Sequence, residues 1–411
     1  HVIDRAASGP AGVPVDPLGL SPDTAALLDA VLAGVPPRIA VPPVAALVPT
    51  AHSAIPGLTR APLARLAAAR PALSARTGIA ARTIETAEPI TYEAIEDLPA
   101  LLQAEAALYE SYGLETLRIA GAQPHPTPLV QSTAMASVRL PAPSHAPRLP
   151  AAIVTDGLLS ECQLETVVYA GAAHARHLPG RWTVDETATT LSAAPKDAAG
   201  AVRFRQGFFL GDGTGAGKGR QVAGIILDNW MQGRRRAVWV SKSDTLIEDA
   251  RRDWRHLGRE PLQVKPLSRF APGKPVTLGE GILFTTFATL RGGSRDGSGS
   301  RLDQIVAWLG AGFDGVIALD EAHALANAAA SGGARGVVEA SQQGRAGLAL
   351  QYRLPDARVL YVSATGAVTV EKLAYAHRLG LWGGGAFPFP TRGDFVSAMQ
   401  QGGLAAMEVL A

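Results

Sequence analysis

The sequence contains a single cysteine, Cys162, which excludes an internal disulfide framework and a zinc site built from several cysteines. It has no apolar run approaching the roughly 18–20 residues that span a bilayer. Its first ten residues, HVIDRAASGP, lack the charged and then apolar pattern of a secretory signal. Neither charge is in excess, with 38 Lys and Arg against 36 Asp and Glu. We therefore expect a soluble cytoplasmic protein without membrane contacts, in which any basic surface is local.

We find no strand series in the first 124 residues. This region is rich in Ala, Pro and Leu, and short helical stretches such as Asp23–Leu32 and Ala61–Ala69 are interrupted by prolines. We interpret residues 1–124 as a helical or linker extension without a chemical motif. The proline-rich stretches that follow, Pro124–Leu129 and Pro141–Pro150, are typical of an extended connector.

From about Leu158 onward, apolar runs alternate with helical patterns. Such short, doubly apolar strands separated by helices predict an α/β domain with a mostly parallel sheet covered on both faces. The predicted strands are Phe204–Leu210, Ala237–Ser241, Gly281–Thr285, Val316–Leu319 and Val359–Val362, and the predicted helices are Arg220–Met231 and Asp244–His256. The Gly- and Ser-rich stretches Gly292–Ser300 and Ser331–Gly347, including Gln342–Arg345, are predicted loops.

A glycine-rich loop follows the first of these strands. The sequence GDGTGAGKG spans Gly211–Gly219 and leads into a helix. A strand, a glycine-rich loop, a lysine and a helix together point backbone N–H groups at a polyphosphate, and Lys218 would reach its β- and γ-phosphates. Two positions depart from the usual pattern: Asp212 replaces the first glycine, and Gly219 replaces the Ser or Thr that ligates Mg²⁺. Mg²⁺ would then be held by phosphate oxygens, water and a second carboxylate.

An acidic motif lies at the end of a later predicted strand. Asp320, Glu321, Ala322 and His323 follow the apolar run Val316–Leu319, at the strand end where ligands bind in parallel sheets. Asp320 is suited to hold Mg²⁺, and Glu321 is suited to orient or deprotonate an attacking water. The next strand ends in the triplet Ser363-Ala364-Thr365.

Together these motifs resemble the strawberry notch-like helicases, whose loop has GKGR where most others have GKT. The resemblance extends roughly over residues 125–411. Its clearest stretches are Leu158–Ala170, Gly207–Trp230, Arg235–Trp254, Gly281–Leu290, Phe313–Asn327, Arg358–Ala367 and Leu373–Gly385.

The resemblance implies a RecA-like superfamily 2 ATPase that uses ATP and Mg²⁺ and acts on nucleic acid, DNA in preference to RNA, through backbone contacts. Lys218, Asp320 and Glu321 would be catalytic, Asp320 would hold the metal, and His323, Ser363 and Thr365 would couple nucleotide state to the nucleic-acid site. Gln163 would read adenine. The nucleotide-binding set is Gln163, Gly213, Thr214, Gly215, Ala216, Gly217, Lys218, Gly219 and Arg220, and the expected nucleic-acid contacts are Ser241, Lys242, Thr285 and Thr286.

The same resemblance implies a longer protein with a second RecA-like lobe, which this sequence does not contain, and a possible linked methyltransferase. Two other interpretations stay open: a non-catalytic, nucleotide-gated interaction module, and a DNA-modification protein in which this lobe serves a methyltransferase. Gln163 could also be an exposed polar residue at a helix start. The spacing of His174 and His177 without a third ligand indicates surface histidines, Cys162 is expected to be a small buried side chain, and Arg234–Arg236 are expected to stabilise a helix C-terminus.

Overall fold

The protein is described by a computed structural model that places residues 87–95, 109–114, 116–132, 140–258, 264–292, 299–328, 331–333, 336–364, 370–384 and 386–410. Six strands form its central sheet. They are β1 (Phe208–Leu210), β2 (Arg236–Ser241), β3 (Val264–Pro266), β4 (Gly281–Thr286), β5 (Val316–Asp320) and β6 (Arg358–Val362). Their order across the sheet is β3-β4-β2-β5-β6-β1, and every neighbouring pair is parallel.

Helices cover both faces of this sheet. They are α1 (Ala152–Thr155), α2 (Glu161–His174), α3 (Lys218–Met231), α4 (Ile247–His256), α5 (Phe287–Leu290), α6 (Arg301–Leu309), α7 (Gln342–Tyr352) and α8 (Arg392–Leu410). Short 3₁₀ turns occupy Asp244–Leu246, Leu267–Arg269, Ala322–Leu325, Val370–Tyr375 and His377–Leu379. No helix in the described ranges is both long enough and apolar enough to cross a membrane.

Alternate residues of each strand belong to two different cores. Ala237 and Trp239 of β2 pack in the core that contains α2, α3 and α4, whereas Val238 and Val240 pack in the core that contains α6 and α7. Because successive side chains of a strand point to opposite faces, both faces of the sheet are buried. The predicted parallel α/β architecture is therefore confirmed.

Five two-stranded ribbons surround this domain, and three of them involve residues before 150. The pairs are Glu88–Pro89 with Arg148–Leu149, Tyr92–Ala94 with Leu117–Ile119, Tyr109–Ser111 with Val130–Ser132, Arg181–Val184 with Leu191–Ala194, and Ser331–Gly333 with Gly336–Val338. Leu117 and Ile119 are buried in the core that contains α2 and α3. The expectation that no strand lies before residue 125 is thus wrong for the described part, where pairs of two or three residues carry too short an apolar pattern to detect. The helical stretches predicted at 23–32 and 61–69 lie outside the described residues.

The predicted loop at Ser331–Gly347 is also wrong. Its first part forms a β-ribbon, and α7 begins at Gln342, where the Ser341 side chain accepts a hydrogen bond from the Gly344 N–H at 3.0 Å. A Cβ on Gly344 would overlap the backbone of Ala328, and a Cβ on Gly347 would lie 2.6 Å from Leu325 Cδ2. These glycines are therefore required by close helix packing rather than by loop flexibility.

Three further strand boundaries differ from the prediction, and one strand was not predicted. The strand predicted at Phe204–Leu210 begins only at Phe208, while Phe204 is fully buried in the core. The edge strand β3 was missed, because Val264–Pro266 is short and contains a proline, a residue that weakens a strand pattern. The structure also extends β4 to Thr286 and β5 to Asp320.

A buried cation joins the beginning of β1 to the rest of the domain. The Arg378 guanidinium is fully buried and donates to the carbonyls of Arg205 at 2.9 Å, Pro355 at 2.7 Å, Gln351 at 2.6 Å and Leu354 at 2.8 Å. It lies 4.5 Å from the centroid of the Phe204 ring. Burial lowers the pKa of Arg378 to about 10, so it is charged at neutral pH.

His174 is buried, which contradicts the surface position predicted for it. Its side chain lies against β6, with Nε2 3.2 Å from the Val359 carbonyl. Burial lowers the pKa of His174 to about 3, and burial likewise lowers the pKa of His377, which packs edge-on against Trp182, to about 4. His177 differs, because it is half-buried and lies 3.4 Å from Asp356 Oδ1.

We predict that Arg378→Met lowers the free energy of unfolding by about 3 kcal/mol or more, because several buried carbonyls lose their donors. Denaturant unfolding followed by circular dichroism measures the change. Arg203→Met, at an exposed arginine directly before Phe204, is the matched control and should stay within about 0.5 kcal/mol of the unchanged protein. Equal effects of the two variants would contradict the structural role of Arg378.

We predict that the two buried histidines make stability depend on pH. Both folded-state pKa values lie below the ordinary 6.5, so protons bind the unfolded chain first. Their contribution is complete above pH 6.5 and is lost as the pH falls toward 4, at about 1.4 kcal/mol per pH unit for each histidine. His174→Gln and His377→Phe should each flatten the slope of unfolding free energy between pH 6.5 and 5, and the double variant should flatten it most. A slope unaltered in the double variant would rule out this origin.

Candidate functional site

The carboxyl ends of three neighbouring strands are level with one another. Leu210 of β1 pairs with Val362 of β6, and Val362 pairs with Asp320 of β5. On the other side of β5, Leu319 pairs with Val240, which places Ser241 beside Asp320. Because adjacent strands lie about 4.8 Å apart, the strand that enters the glycine-rich loop ends about 10 Å from Asp320. The sheet therefore collects the loop, the acidic motif and the segment beginning at Ser363 at one edge.

The glycine-rich loop connects β1 to α3, which begins at Lys218. Gly215 and Gly217 have φ values of 101° and 80°, in the left-handed region that favours glycine. Residues 213–215 are exposed, whereas Ala216 is buried. The Lys218 Nζ donates to the Asp212 carbonyl at 2.8 Å and to the Gly213 carbonyl at 2.9 Å. The lysine therefore lies within the curve of its own loop, where its charge faces the exposed backbone.

Two buried glutamines hold this loop in place. The Gln163 Nε2 donates to the Ala216 carbonyl at 3.0 Å, and the Gln221 Nε2 donates to the same carbonyl at 3.2 Å and to Asp212 Oδ2 at 2.7 Å. The aspartate that replaces the usual glycine is thereby tied to α3. Sequence reasoning missed Gln221, whose signal is a polar residue in an otherwise apolar stretch of the helix that follows the loop.

Gln163, which we expected to read adenine, lies at the loop instead of on an open surface. It is 3% exposed, and its Oε1 accepts a hydrogen bond from the Ser160 N–H at 3.1 Å, within the capping box of α2. It is thus at a helix start, as the alternative interpretation held, but it is buried. A Cβ on Gly217 would overlap Gln163 Nε2, so the position of the Gln163 side chain requires glycine at residue 217. Adenine recognition stays a prediction. Cys162, on the same helix, is buried as expected.

Asp320 ends β5 in a largely buried position. Its Oδ2 accepts a hydrogen bond from the Ser241 hydroxyl at 3.0 Å, and the Trp239 Nε1 lies 3.5 Å away. Burial raises the pKa of Asp320, and the charge of Glu321 raises it further, whereas the donated hydrogen bonds lower it. Burial thus disfavours the charged form of Asp320, and a nearby divalent cation would stabilise that form.

Glu321 begins a series of polar contacts along the sheet edge. Its backbone is left-handed, with φ at 56°, which is rare for a residue other than glycine. Glu321 Oε1 lies 3.7 Å from the Lys242 Nζ, and Oε2 lies 3.3 Å from the His323 Nδ1. The same nitrogen of His323 lies 3.2 Å from the Ser363 hydroxyl. We call Lys242, Glu321, His323 and Ser363 the edge network. It links the ends of β2, β5 and β6, and Thr365 lies outside the described residues.

The expected nucleic-acid contacts differ in their exposure. The Lys242 side chain is 56% exposed, whereas Ser241, Thr285 and Thr286 are buried. The Ser241 hydroxyl donates to Asp320, and the Thr286 hydroxyl caps α5 by accepting from the Thr289 N–H at 3.2 Å. Contact with nucleic acid remains a prediction for all four residues, and Lys242 is the one already open to solvent.

Asp253 of α4 was not anticipated from the sequence. A Cβ added to Gly219 would overlap Asp253 Oδ2 and would lie 3.1 Å from its Cγ. The carboxylate therefore reaches across to the first turn of α3. The sequence carries no signal for this contact beyond the glycine itself, because it depends on how α4 packs against α3. Arg220, also expected to bind nucleotide, is half-buried, and its charge lowers the pKa of Asp253.

The arginines that follow α3 have structural partners in other segments, rather than only at the C-terminus of that helix as the sequence led us to expect. Arg234 pairs with Asp314 at 2.9 Å, Arg235 lies 3.4 Å from Glu280, and Arg236 donates to the Trp308 carbonyl at 2.6 Å. Within the described ranges, no group of three or more His, Cys, Asp or Glu side chains forms a metal site. A metal at this edge would need ligands from a bound nucleotide in addition to protein carboxylates, which is the usual arrangement for Mg²⁺.

The chain is similar in sequence to several curated proteins. Protein strawberry notch homolog 1 of Gallus gallus is 37% identical over 294 residues, covering 70% of this chain and 22% of that protein. Protein FORGETTER 1 of Arabidopsis thaliana is 37% identical over 292 residues, covering 70% of this chain and 20% of that protein. This chain thus spans about a fifth of the length of these curated relatives.

Among solved structures, the SWI2/SNF2 ATPase core of Sulfolobus solfataricus in complex with dsDNA overlaps 43% of this chain and 32% of its own, with a TM-score of 0.30 and 17% identity. The model of the family described as P-loop containing NTP hydrolase pore-1 matches residues 124–411. The predicted resemblance is therefore confirmed, and the chain belongs to this strawberry notch-type family of P-loop NTP hydrolases.

Proposed function

We propose that this chain binds and hydrolyses ATP as the first lobe of a superfamily 2 helicase or translocase acting on nucleic acid. The single observation that carries the proposal is the level register of β1, β6 and β5, which sets the glycine-rich loop, Ser363 and Asp320 side by side. Loop amides and the N-terminus of α3 form a binding site for phosphates. Membership of a P-loop NTP hydrolase family supports nucleotide binding. The coupling to nucleic acid is our inference.

Lys218 is the residue that would hold the β- and γ-phosphates. Its ammonium now donates to two neutral loop carbonyls, at 2.8 and 2.9 Å. A charged phosphate oxygen is a stronger acceptor than a carbonyl, so binding would draw the lysine toward the nucleotide. The exposed residues 213–215 leave the loop backbone open to such a ligand.

Asp320 and Glu321 would perform the chemical step. Bound Mg²⁺ supplies charge neutralisation on the phosphate oxygens. Asp320 is oriented for that ion by the Ser241 hydroxyl, and Glu321 is oriented by its contacts with Lys242 and His323. From that position Glu321 can accept a proton from an attacking water.

The edge network is the proposed route from nucleotide to nucleic acid. His323 joins Glu321, the proposed base, to the Ser363 hydroxyl at the end of β6. The exposed Lys242, whose Nζ lies 3.7 Å from Glu321 Oε1, is suited to contact a DNA phosphate. On binding DNA it would leave the Glu321 carboxylate for that phosphate. A second RecA-like lobe in a longer protein would supply an arginine that stabilises the charge developing on the transferred phosphate.

A non-catalytic, nucleotide-gated module is the second candidate function. The observation that favours it is Gly219, which lacks the hydroxyl that commonly ligates Mg²⁺ in P-loop proteins. Such a module would bind nucleotide through Lys218 and transmit the bound state without using Glu321 as a base.

We predict that Lys218→Ala weakens the binding of Mg-ATP about 10–100-fold, because a charged hydrogen bond to phosphate is worth about 1.5–3 kcal/mol. Calorimetric titration of Mg-ATP into the 411-residue chain measures this. Lys196→Ala, at an exposed lysine outside the loop, is the matched control and should bind normally. Absence of saturable binding to the unchanged chain would exclude a nucleotide site in this lobe.

We predict that Glu321→Gln retains ATP binding but slows hydrolysis about 10²–10⁴-fold, since it removes a general base and preserves side-chain shape. DNA-stimulated phosphate release by the complete protein that contains this lobe gives the rate. Glu248→Gln, in α4, provides a matched control at an exposed carboxylate. Unchanged hydrolysis in Glu321→Gln would favour the non-catalytic module.

A further inference from the structure

Gly219 is the residue at which this loop departs from the common P-loop pattern, and the structure shows what occupies the missing side chain's volume. A Cβ built on Gly219 would overlap the Oδ2 oxygen of Asp253. A Ser or Thr at this position would therefore collide with the carboxylate. Where other P-loops place a metal-ligating hydroxyl, an oxygen atom is still present, but it comes from a different helix.

The packing of α4 against α3 holds Asp253 in this position. Trp254 is 2% exposed, and its ring lies 6.1 Å from that of Trp230 on α3. Ala250, one turn earlier, is also buried. The Asp253 side chain, between these contacts, is 14% exposed, and the Nε of its neighbour Arg252 lies 3.8 Å from Oδ1. Oδ2 is the oxygen directed at Gly219.

The electrostatics of this position favour a cation. Burial raises the pKa of Asp253, and the negative charge of Asp320 contributes in the same direction, whereas Arg252 and Arg220 lower it. Two carboxylates beside a phosphate-binding loop would repel a polyphosphate. A divalent cation between them and the phosphates removes that repulsion, and Mg²⁺ commonly uses one or two carboxylates together with substrate phosphates.

We propose that Asp253 replaces the P-loop hydroxyl as a magnesium ligand, so that Asp253 Oδ2 and Asp320 together hold the Mg²⁺ of the bound nucleotide. This inference rests on the proposed nucleotide site. It assigns to Gly219 the role of leaving room for the carboxylate, and it explains how a loop without a hydroxyl retains a metal ligand.

The test is the dependence of nucleotide affinity on Mg²⁺. Binding of a non-hydrolysable ATP analogue to the 411-residue chain is measured by calorimetry in Mg²⁺ and in EDTA. The ratio of the two dissociation constants measures how much Mg²⁺ strengthens nucleotide binding. Asp253→Asn, which keeps the shape of the side chain, should reduce this ratio about 10–100-fold, the usual effect of altering a metal site. Asp249→Asn, one turn away on the same helix and half-exposed, should keep the ratio of the unchanged chain.

A residue exchange separates ligation from folding. Gly219→Ser alone should weaken binding in both solutions, because its side chain overlaps Asp253. The double variant Gly219→Ser with Asp253→Ala opens that space and supplies a hydroxyl, so it should recover most of the Mg²⁺ dependence. Thermal unfolding of each variant confirms that the domain is intact.

Three results would overturn the inference. An unchanged ratio in Asp253→Asn would show that the carboxylate is not a metal ligand. If Asp253→Asn bound the nucleotide more tightly by the same factor in Mg²⁺ and in EDTA, Asp253 would only repel phosphate. If the unchanged chain binds no nucleotide, and Lys218→Ala is indistinguishable from it, the proposed function fails together with this inference. Normal, Lys218-dependent binding with an unaltered ratio in Asp253→Asn rejects the inference alone.

Discussion

The buried guanidinium of Arg378 is the interaction on which the position of the nucleotide loop depends. β1 has three residues and, within the described sheet, pairs only with β6, so strand pairing alone holds it weakly. Arg378 adds hydrogen bonds to Arg205, just before this strand, and to Leu354 and Pro355, just before β6. The Gly207 N–H donates in turn to the Arg378 carbonyl at 2.7 Å. Arg378, which has no carboxylate partner among the described ion pairs, thus aligns β1 and β6 at their amino ends. Because the two strands are paired in register, their carboxyl ends are aligned as well.

That register decides which residues can act together. Asp320, Val362 and Leu210 lie in one row, and Ser241 lies beside Asp320, so four segments distant in sequence meet at one edge. The left-handed backbone at Glu321 then turns its carboxylate along the edge toward Lys242 and His323. A glutamate in this conformation costs about 1–3 kcal/mol. The location of that strain, at the proposed base, agrees with a site whose geometry matters more than local stability.

Much of this arrangement could be predicted from the sequence, because the central strands are apolar on both faces and the loop and acidic motif follow strand ends directly. The features that were missed depend on packing between elements. The glycines of α7 resemble a flexible loop until Ala328 and Leu325 are seen against them. His174 has the spacing of a surface pair, yet its helix turns it toward β6. In the sequence Gly219 indicates only the loss of a metal ligand, because the packing of α4 against α3 is what places Asp253 beside it.

The two edges of the sheet have a consequence for how molecules of this protein meet one another. In the described sheet, both outer strands, β1 and β3, are three residues long, and β3 ends in Pro266, which has no backbone N–H to donate. An exposed strand acts as a template for pairing with another chain, and short edges or prolines suppress this. A sheet that is apolar on both faces would aggregate readily if its edges were long. The brevity of β1 and β3 therefore protects the folded domain from edge-to-edge association at high concentration.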